Sequence, residues 1–256
     1  MAGLPDSDLE SWYAALEARH LATLTFPEVR RALQALSSLY VERRDRLPRG
    51  AALDGAGKRA AFALFYGPLH FAVVRRIVSE LHAADRGLAR IVDLGCGTGA
   101  AGAAWALETG RHAGVNGVDT AGWAIAEAAW NFRALGIRGT AQRGDVSSAR
   151  LGGGDEGIVA AYTVNELDDA ARDALLPRLL AAHGAGSRVL VVEPIANRPV
   201  PFWGTWEAAF REAGGRADLW RFAASLPSRM KLLHKAAGLR HQVLTARSLW
   251  LPAQGR

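Results

Sequence analysis

The chain has 256 residues, half of them hydrophobic, enough to bury a large core in one large domain or two small ones. No run approaches about 18 consecutive apolar residues, the start M-A-G-L-P-D-S-D-L-E has no signal-peptide pattern, and Cys96 is the only cysteine; a membrane span, secretion, disulfides and a cysteine-based metal centre are all disfavoured, and a cytoplasmic protein without a metal is expected. The net charge of +6 is concentrated in residues 216–256, which hold Arg216, Arg221, Arg229, Lys231, Lys235, Arg240, Arg247 and Arg256 against Asp218 alone. Such a stretch steers an anionic partner, RNA first, unless it is simply a solvated helix face.

Residues 7–46 repeat apolar side chains at three- and four-residue spacing (Trp12, Leu16, Leu33, Leu36) and predict two helices, the second starting near Pro27 with Thr25 as its cap. A Pro- and Gly-containing loop follows at 47–57, then a helix pair, 58–66 and 69–81, separated by a break at Gly67-Pro68. Tyr66 and His70 stand four apart and can face a ligand together from this helical segment; an internal aromatic cluster is the plain alternative.

From Ala89 strand and helix alternate, which predicts a doubly wound, mostly parallel Rossmann-like sheet. Strands are expected at 90–94, 113–118, 138–142, 158–164, 188–192 and 216–222, with a last strand at 242–251 entering antiparallel. Helices are expected at 99–109, 121–134, 168–182 (interrupted at Pro177), 204–213 and, rich in basic residues, 226–237. The division expected is an all-helical cover at 1–85 and the sheet domain at 86–256.

The sheet domain is organised around R-I-V-D-L-G-C-G-T-G-A-A-G, residues 90–102. An apolar strand runs into three alternate glycines and then an Ala-rich helix, which is how a βαβ nucleotide site begins. Gly97 to Gly102 formally match the dinucleotide fingerprint, a weak signal alone. Asp93 directly before the loop would repel a pyrophosphate but can hold an ammonium group. Asp119 ends the second strand, where a carboxylate meets ribose hydroxyls, and Asp145, Glu166 and Glu193 follow the third, fourth and fifth. A cleft ringed by carboxylates suits a cationic nucleoside better than a diphosphate.

With these pieces in order (V-D-L-G-C-G-T-G-A-A-G, G-V-D-T, R-G-D-V, V-N-E-L and V-L-V-V-E-P) residues 89–195 resemble the class I S-adenosylmethionine-dependent methyltransferases. The resemblance implies S-adenosyl-L-methionine as cofactor. It places Asp93, Gly95, Cys96, Gly97 and Gly99 on the methionine side, and Asp119 and Thr120 at the ribose. Asp145 and Val146 fall at the adenine, Trp123 near adenine or ribose, and Asn165 at the cleft edge. A more distant likeness, carried by L-Y-V-E-R-R, F-Y-G-P, A-Y-T-V-N-E-L and the Arg-rich tail, is to the methyltransferase-like proteins of the small ribosomal subunit. That family carries C-terminal cysteines; this chain has none there, so a metal cluster is excluded.

Residue type narrows the chemistry. Cys96 lies in the cofactor loop, which excludes the cysteine nucleophile that pyrimidine C5 methylation requires. Asn165-Glu166-Leu167-Asp168 keeps the Asn, but not the prolines and aromatic, of the amine-methylating tetrad. Asn165 is then expected to orient an acceptor, with Glu166, Tyr66 or His70 taking a proton. The expected activity is methyl transfer to RNA, on the ribosome or off it; the alternatives are a small-molecule O/N-methyltransferase and a non-catalytic assembly protein.

Overall fold

The computed structural model describes residues 7–42, 53–85, 87–195, 200–239 and 243–254. The loop expected at 47–57 lies outside them up to residue 52, as do the Pro-rich stretch 196–199, Arg43, Arg44, Arg240 and Arg256. The chain divides into two compact units, Met1–Ala72 with Ala223–Leu244, and Val73–Phe222 with Thr245–Arg256. The stretch 1–85 is therefore shared between the units, and the basic stretch 216–256 is split between them as well.

The helical unit begins with α1 (Ser7–Leu21) and α2 (Phe26–Glu42), the two helices that the periodicity predicts. Thr25 starts α2: its backbone N–H and its hydroxyl both donate to Glu28 Oε2 at 2.7 Å, the reciprocal arrangement of a capping box. Trp12, Tyr13 and Leu16 of α1 and Val29, Leu33 and Leu36 of α2 are buried, and Trp12 meets Phe71 at 5.0 Å between ring centroids. The break expected at Gly67-Pro68 is not there. Helix α3 (Ala56–Ala61) passes through a π turn, Phe62–Tyr66, directly into α4 (Gly67–Glu80). Proline cannot donate to the carbonyl four residues back, and its ring crowds that carbonyl. The wider turn just before it absorbs the conflict: Gly67 N–H bonds to Phe62 O, five residues back. The whole helix, Ala56–Glu80, is long and apolar enough to cross a membrane by length and composition, but 67% of its apolar window is buried inside the protein, as in a core helix. The unit is completed by α9 (Ser228–Ala236), whose Met230, Leu233 and His234 are buried.

The second unit holds a seven-stranded sheet of order β3-β2-β1-β4-β5-β7-β6. Its strands are β1 (Arg90–Leu94), β2 (Gly114–Asp119), β3 (Gly139–Arg143), β4 (Glu156–Ala161), β5 (Arg188–Glu193), β6 (Arg216–Ala223) and β7 (Val243–Leu251). The pairs β1·β2, β1·β4, β2·β3 and β4·β5 are parallel, and β7 runs antiparallel to β5, as expected. Helices α5 (Ala100–Glu108), α6 (Gly122–Ala134), α7 (Asp169–Gly184) and α8 (Pro201–Glu212) connect the strands. Pro177 sits inside α7 without interrupting it, another expectation corrected. The central strands read as continuous apolar runs because both faces are covered. Val92, Ile158, Val189 and Val191 pack with Leu175 and Leu179 of α7 and with Trp206 and Phe210 of α8. Chain order reverses between β1 and β4. Ligands of such sheets bind at that switch point, outside the carboxyl ends of the strands.

Candidate cofactor site

At the switch point the chain leaves β1 through three left-handed glycines, Gly95 (φ 63°), Gly97 (φ 51°) and Gly99 (φ 75°), before α5. They do different work. A Cβ on Gly95 would lie 2.5 Å from Thr163 Cγ2, and one on Gly99 would lie 2.7 Å from Phe132 Cε1, so both are needed for close packing inside the unit. A Cβ on Gly97 would meet nothing within 4 Å; this glycine faces open space, where a ligand can approach the backbone.

The loop is held from several sides. Gly97 N–H donates to Asp119 Oδ2 at 2.8 Å, and the other oxygen of Asp119 accepts from Ala121 N–H at 2.8 Å. Asn131 Nδ2 of α6 donates to Thr98 O at 2.8 Å. The Thr163 hydroxyl, just past β4, donates to Leu94 O at 3.0 Å. Asn131 and Thr163 have no distinguishing sequence signal, and the sequence reading missed them. Asp93 is buried beneath the loop, where its Oδ2 accepts from Gly102 N–H at 2.8 Å. Burial pushes its carboxyl up to about 7, opposed by the Gly102 bond and reinforced by Asp119. Cys96 is buried too, and burial, with Asp93 and Asp119 nearby, pushes its thiol above the ordinary range. It is no nucleophile.

The remaining sequence candidates divide by unit. Thr120 is exposed after β2, its carbonyl accepting from Arg143 Nε at 3.1 Å, and Trp123 is half-buried in the first turn of α6. Asp145 is exposed after β3; its Oδ1 accepts from Ser147 N–H at 2.9 Å and Val146 beside it is buried. Past β4, Asn165 N–H donates to Glu193 Oε1 at 3.2 Å, while Asn165 Oδ1 is buried with no hydrogen-bond donor among the described residues. Glu166 is exposed in the same turn. Tyr66 and His70 belong to the helical unit. A shallow depression lined by Ala89, Gly114 and Arg138 lies at the amino ends of the strands and contains none of the candidates.

One candidate escaped the sequence reading altogether. Strand β4 stops at Ala161, not at Val164 as expected, because Tyr162 adopts φ 58°. Positive φ in a bulky residue costs on the order of 1–3 kcal/mol and persists only where its surroundings enforce it. Here Tyr162 N–H bonds to Val192 O at 2.7 Å, and its phenol is held well above its ordinary value by burial and by the Glu193 carboxylate.

Residues 75–160 match the family model of the methyltransferase small domain. The sheet unit is of the class I, S-adenosylmethionine-dependent methyltransferase type. No curated protein matches the chain. Among solved structures, it is similar to a protein of Nostoc punctiforme assigned as an O-methyltransferase (17% identity, TM-score 0.55, covering 92% of this chain and 72% of that one). It is also similar to the magnesium protoporphyrin IX methyltransferase of Synechocystis with bound S-adenosylmethionine (14%, 0.50, 90% and 98%) and to the mitomycin 7-O-methyltransferase MmcR (16%, 0.50, 98% and 74%). At such identities the likeness is one of fold. The methyltransferase unit itself fits the cofactor: Gly97 leaves room for a ligand, Asp119 stands at the end of β2, and Asn165 Oδ1 is buried and still lacks a donor.

Proposed function

We propose that the chain methylates RNA, with S-adenosyl-L-methionine as methyl donor. The observation that carries the RNA reading is the partition of charge. The helical unit holds 13 basic and 8 acidic residues, whereas the methyltransferase unit is nearly balanced at 18 and 17. Within Ala223–Leu244 there are four basic residues and no acid. A surplus confined to one unit concentrates a polyanion there.

When bound, the cofactor supplies an electrophilic methyl on a sulfonium, so the protein's work is positioning and proton removal. Asp119 takes the ribose hydroxyls with the lone pairs left beside its two backbone bonds. Asp145 and Val146 hold the adenine, Trp123 covers it, and Thr120 completes that edge. Asp93, fixed to Gly102, keeps the loop shaped for the methionine end, which Gly95, Cys96, Gly97 and Gly99 line. Asn165 Oδ1 accepts a hydrogen from the acceptor group and orients it, and Glu166 takes the departing proton. His70 is a poor proton acceptor, because burial lowers its imidazole to about 3. The Tyr66 phenol is raised by burial and stays protonated. Both are better suited to holding an acceptor than to exchanging protons with it. The single, buried thiol fits a cytoplasmic site of action.

The test is transfer of a labelled methyl from S-adenosylmethionine to fractionated cell RNA, ribosomal subunits, protein and small molecules. Label in RNA or in a subunit's RNA supports the reading. Label confined to small molecules overturns the RNA assignment, and cofactor binding with no labelled product overturns catalysis itself.

A further inference from the structure

The π turn of the helical unit does more than accommodate Pro68. Four residues overshoot one α-helical turn by about 40°, so side chains spaced by four drift around an ordinary helix. The wider turn at Phe62–Tyr66 undershoots instead and cancels part of that drift, which keeps Phe62, Tyr66 and His70 in one row. The ring centroids lie 5.6 Å apart for Phe62–Tyr66, 6.1 Å for Phe62–His70 and 6.3 Å for Tyr66–His70. All three side chains are only half-buried, whereas Ala63, Leu64 and Phe65 between them are buried. Lys58 stands one step earlier in the same row.

Positive charge flanks the rings. Helix α9 packs against the π turn through His234, whose ring lies 4.3 Å from that of Phe65. With His234 and Leu233 turned inward, α9 leaves Lys231 and Lys235 exposed. Arg229 of the same helix is committed to Glu17 at 2.7 Å. The arrangement is half-buried aromatic faces with ammonium groups to the side. Single-stranded nucleic acid is bound in this way, bases stacking on rings while cations follow the phosphates. Duplex RNA keeps its bases stacked internally and gives the rings nothing to hold.

We propose that Phe62, Tyr66 and His70 form a stacking platform for bases of single-stranded RNA, with Lys58, Lys231 and Lys235 neutralising the flanking phosphates. The inference rests on the RNA reading above and goes further, to strandedness and to the residues that bear the bases. His70 is uncharged near neutral pH, so it serves as a ring and hydrogen-bond acceptor, not as a cation.

The experiment measures binding of a fluorescent single-stranded RNA oligonucleotide to the full chain, with the matching duplex and inorganic polyphosphate as competitors. Unlabelled single strand should compete well, duplex and polyphosphate weakly. Phe62→Ala should weaken single-strand binding about tenfold or more and leave polyphosphate binding unchanged. Phe62→Trp, which keeps a ring, should bind at least as well as the parent and also controls for folding. Lys231→Glu with Lys235→Glu should weaken both ligands and flatten the dependence on salt. If the parent binds single strands and Phe62→Ala and His70→Ala bind equally well, the platform is overturned while the RNA reading stands. If polyphosphate or duplex competes as well as the single strand, base stacking is overturned. If the parent binds no RNA of any kind, the RNA reading fails and the platform with it.

Discussion

Gly95 and Gly97 have the same backbone conformation and different neighbours, so alanine at each should fail differently. Gly95→Ala drives a methyl group into Thr163 and should lower the thermal midpoint of the whole protein. Gly97→Ala has room for its methyl group, so beyond the cost of φ 51° its main effect should fall on cofactor affinity, measured by calorimetry. Equal losses of stability at the two positions would mean that Gly97 is packed, not open. Asp93 makes a second residue-scale prediction, from linkage. Its folded carboxyl is raised from 3.8 to about 7. The stability it contributes is full below pH 4 and is lost as pH rises through about 7. Asp93→Asn keeps an acceptor for Gly102 N–H and should remove that decline, so that denaturant midpoints of parent and variant diverge between pH 4 and pH 7 and run parallel above it. At this scale the glycines and Asp119 were legible in the sequence because each answers a backbone or charge requirement with its own residue type. Thr163 and Asn131 were not, since any small donor at the right place in space would read the same along the chain.

Strand ends carry the site, and the end of β4 is where element prediction slipped by three residues. The apolar run Ile158 to Val164 reads as one strand, but a single residue with φ 58° ends it at Ala161. No pattern of hydrophobicity reports a backbone dihedral. If Tyr162 is strained for the sake of its side chain, Tyr162→Gly should preserve or raise the thermal midpoint while lowering methyl transfer, because glycine adopts positive φ freely. Tyr162→Phe, which keeps the ring beside Glu193 without its hydroxyl, separates packing from hydrogen bonding. A large fall in stability for the glycine variant would instead mark Tyr162 as a packing residue. The helix at Gly67-Pro68 shows the opposite error: proline is a strong stop signal in sequence, yet a π turn let the helix continue. The strands and their order succeeded because a buried parallel sheet demands apolar runs whatever surrounds it.

At the scale of the molecule, the sequence showed a helical beginning and a sheet from residue 90 onward, but not that a late segment rejoins the beginning. Nothing local marks Ala223–Leu244 as part of the helical unit; its membership is a matter of which core Met230, Leu233 and His234 enter. The same segment explains why charge that looks like a tail in sequence is shared between the two units in space.

That return has a consequence in time. A ribosome delivers α1, α2 and α3 early, but the helix that completes their core is made only after β6. At synthesis rates of ~5–20 residues per second, the early helices wait on the order of ten seconds for their last partner. They should spend that interval unfinished, exposing Phe65 and Leu64. Residues 1–72 made alone should therefore be protease-sensitive, and adding the 223–244 peptide should restore protection. Stable folding of the fragment unaided would show that the last helix is an accessory to a core already closed.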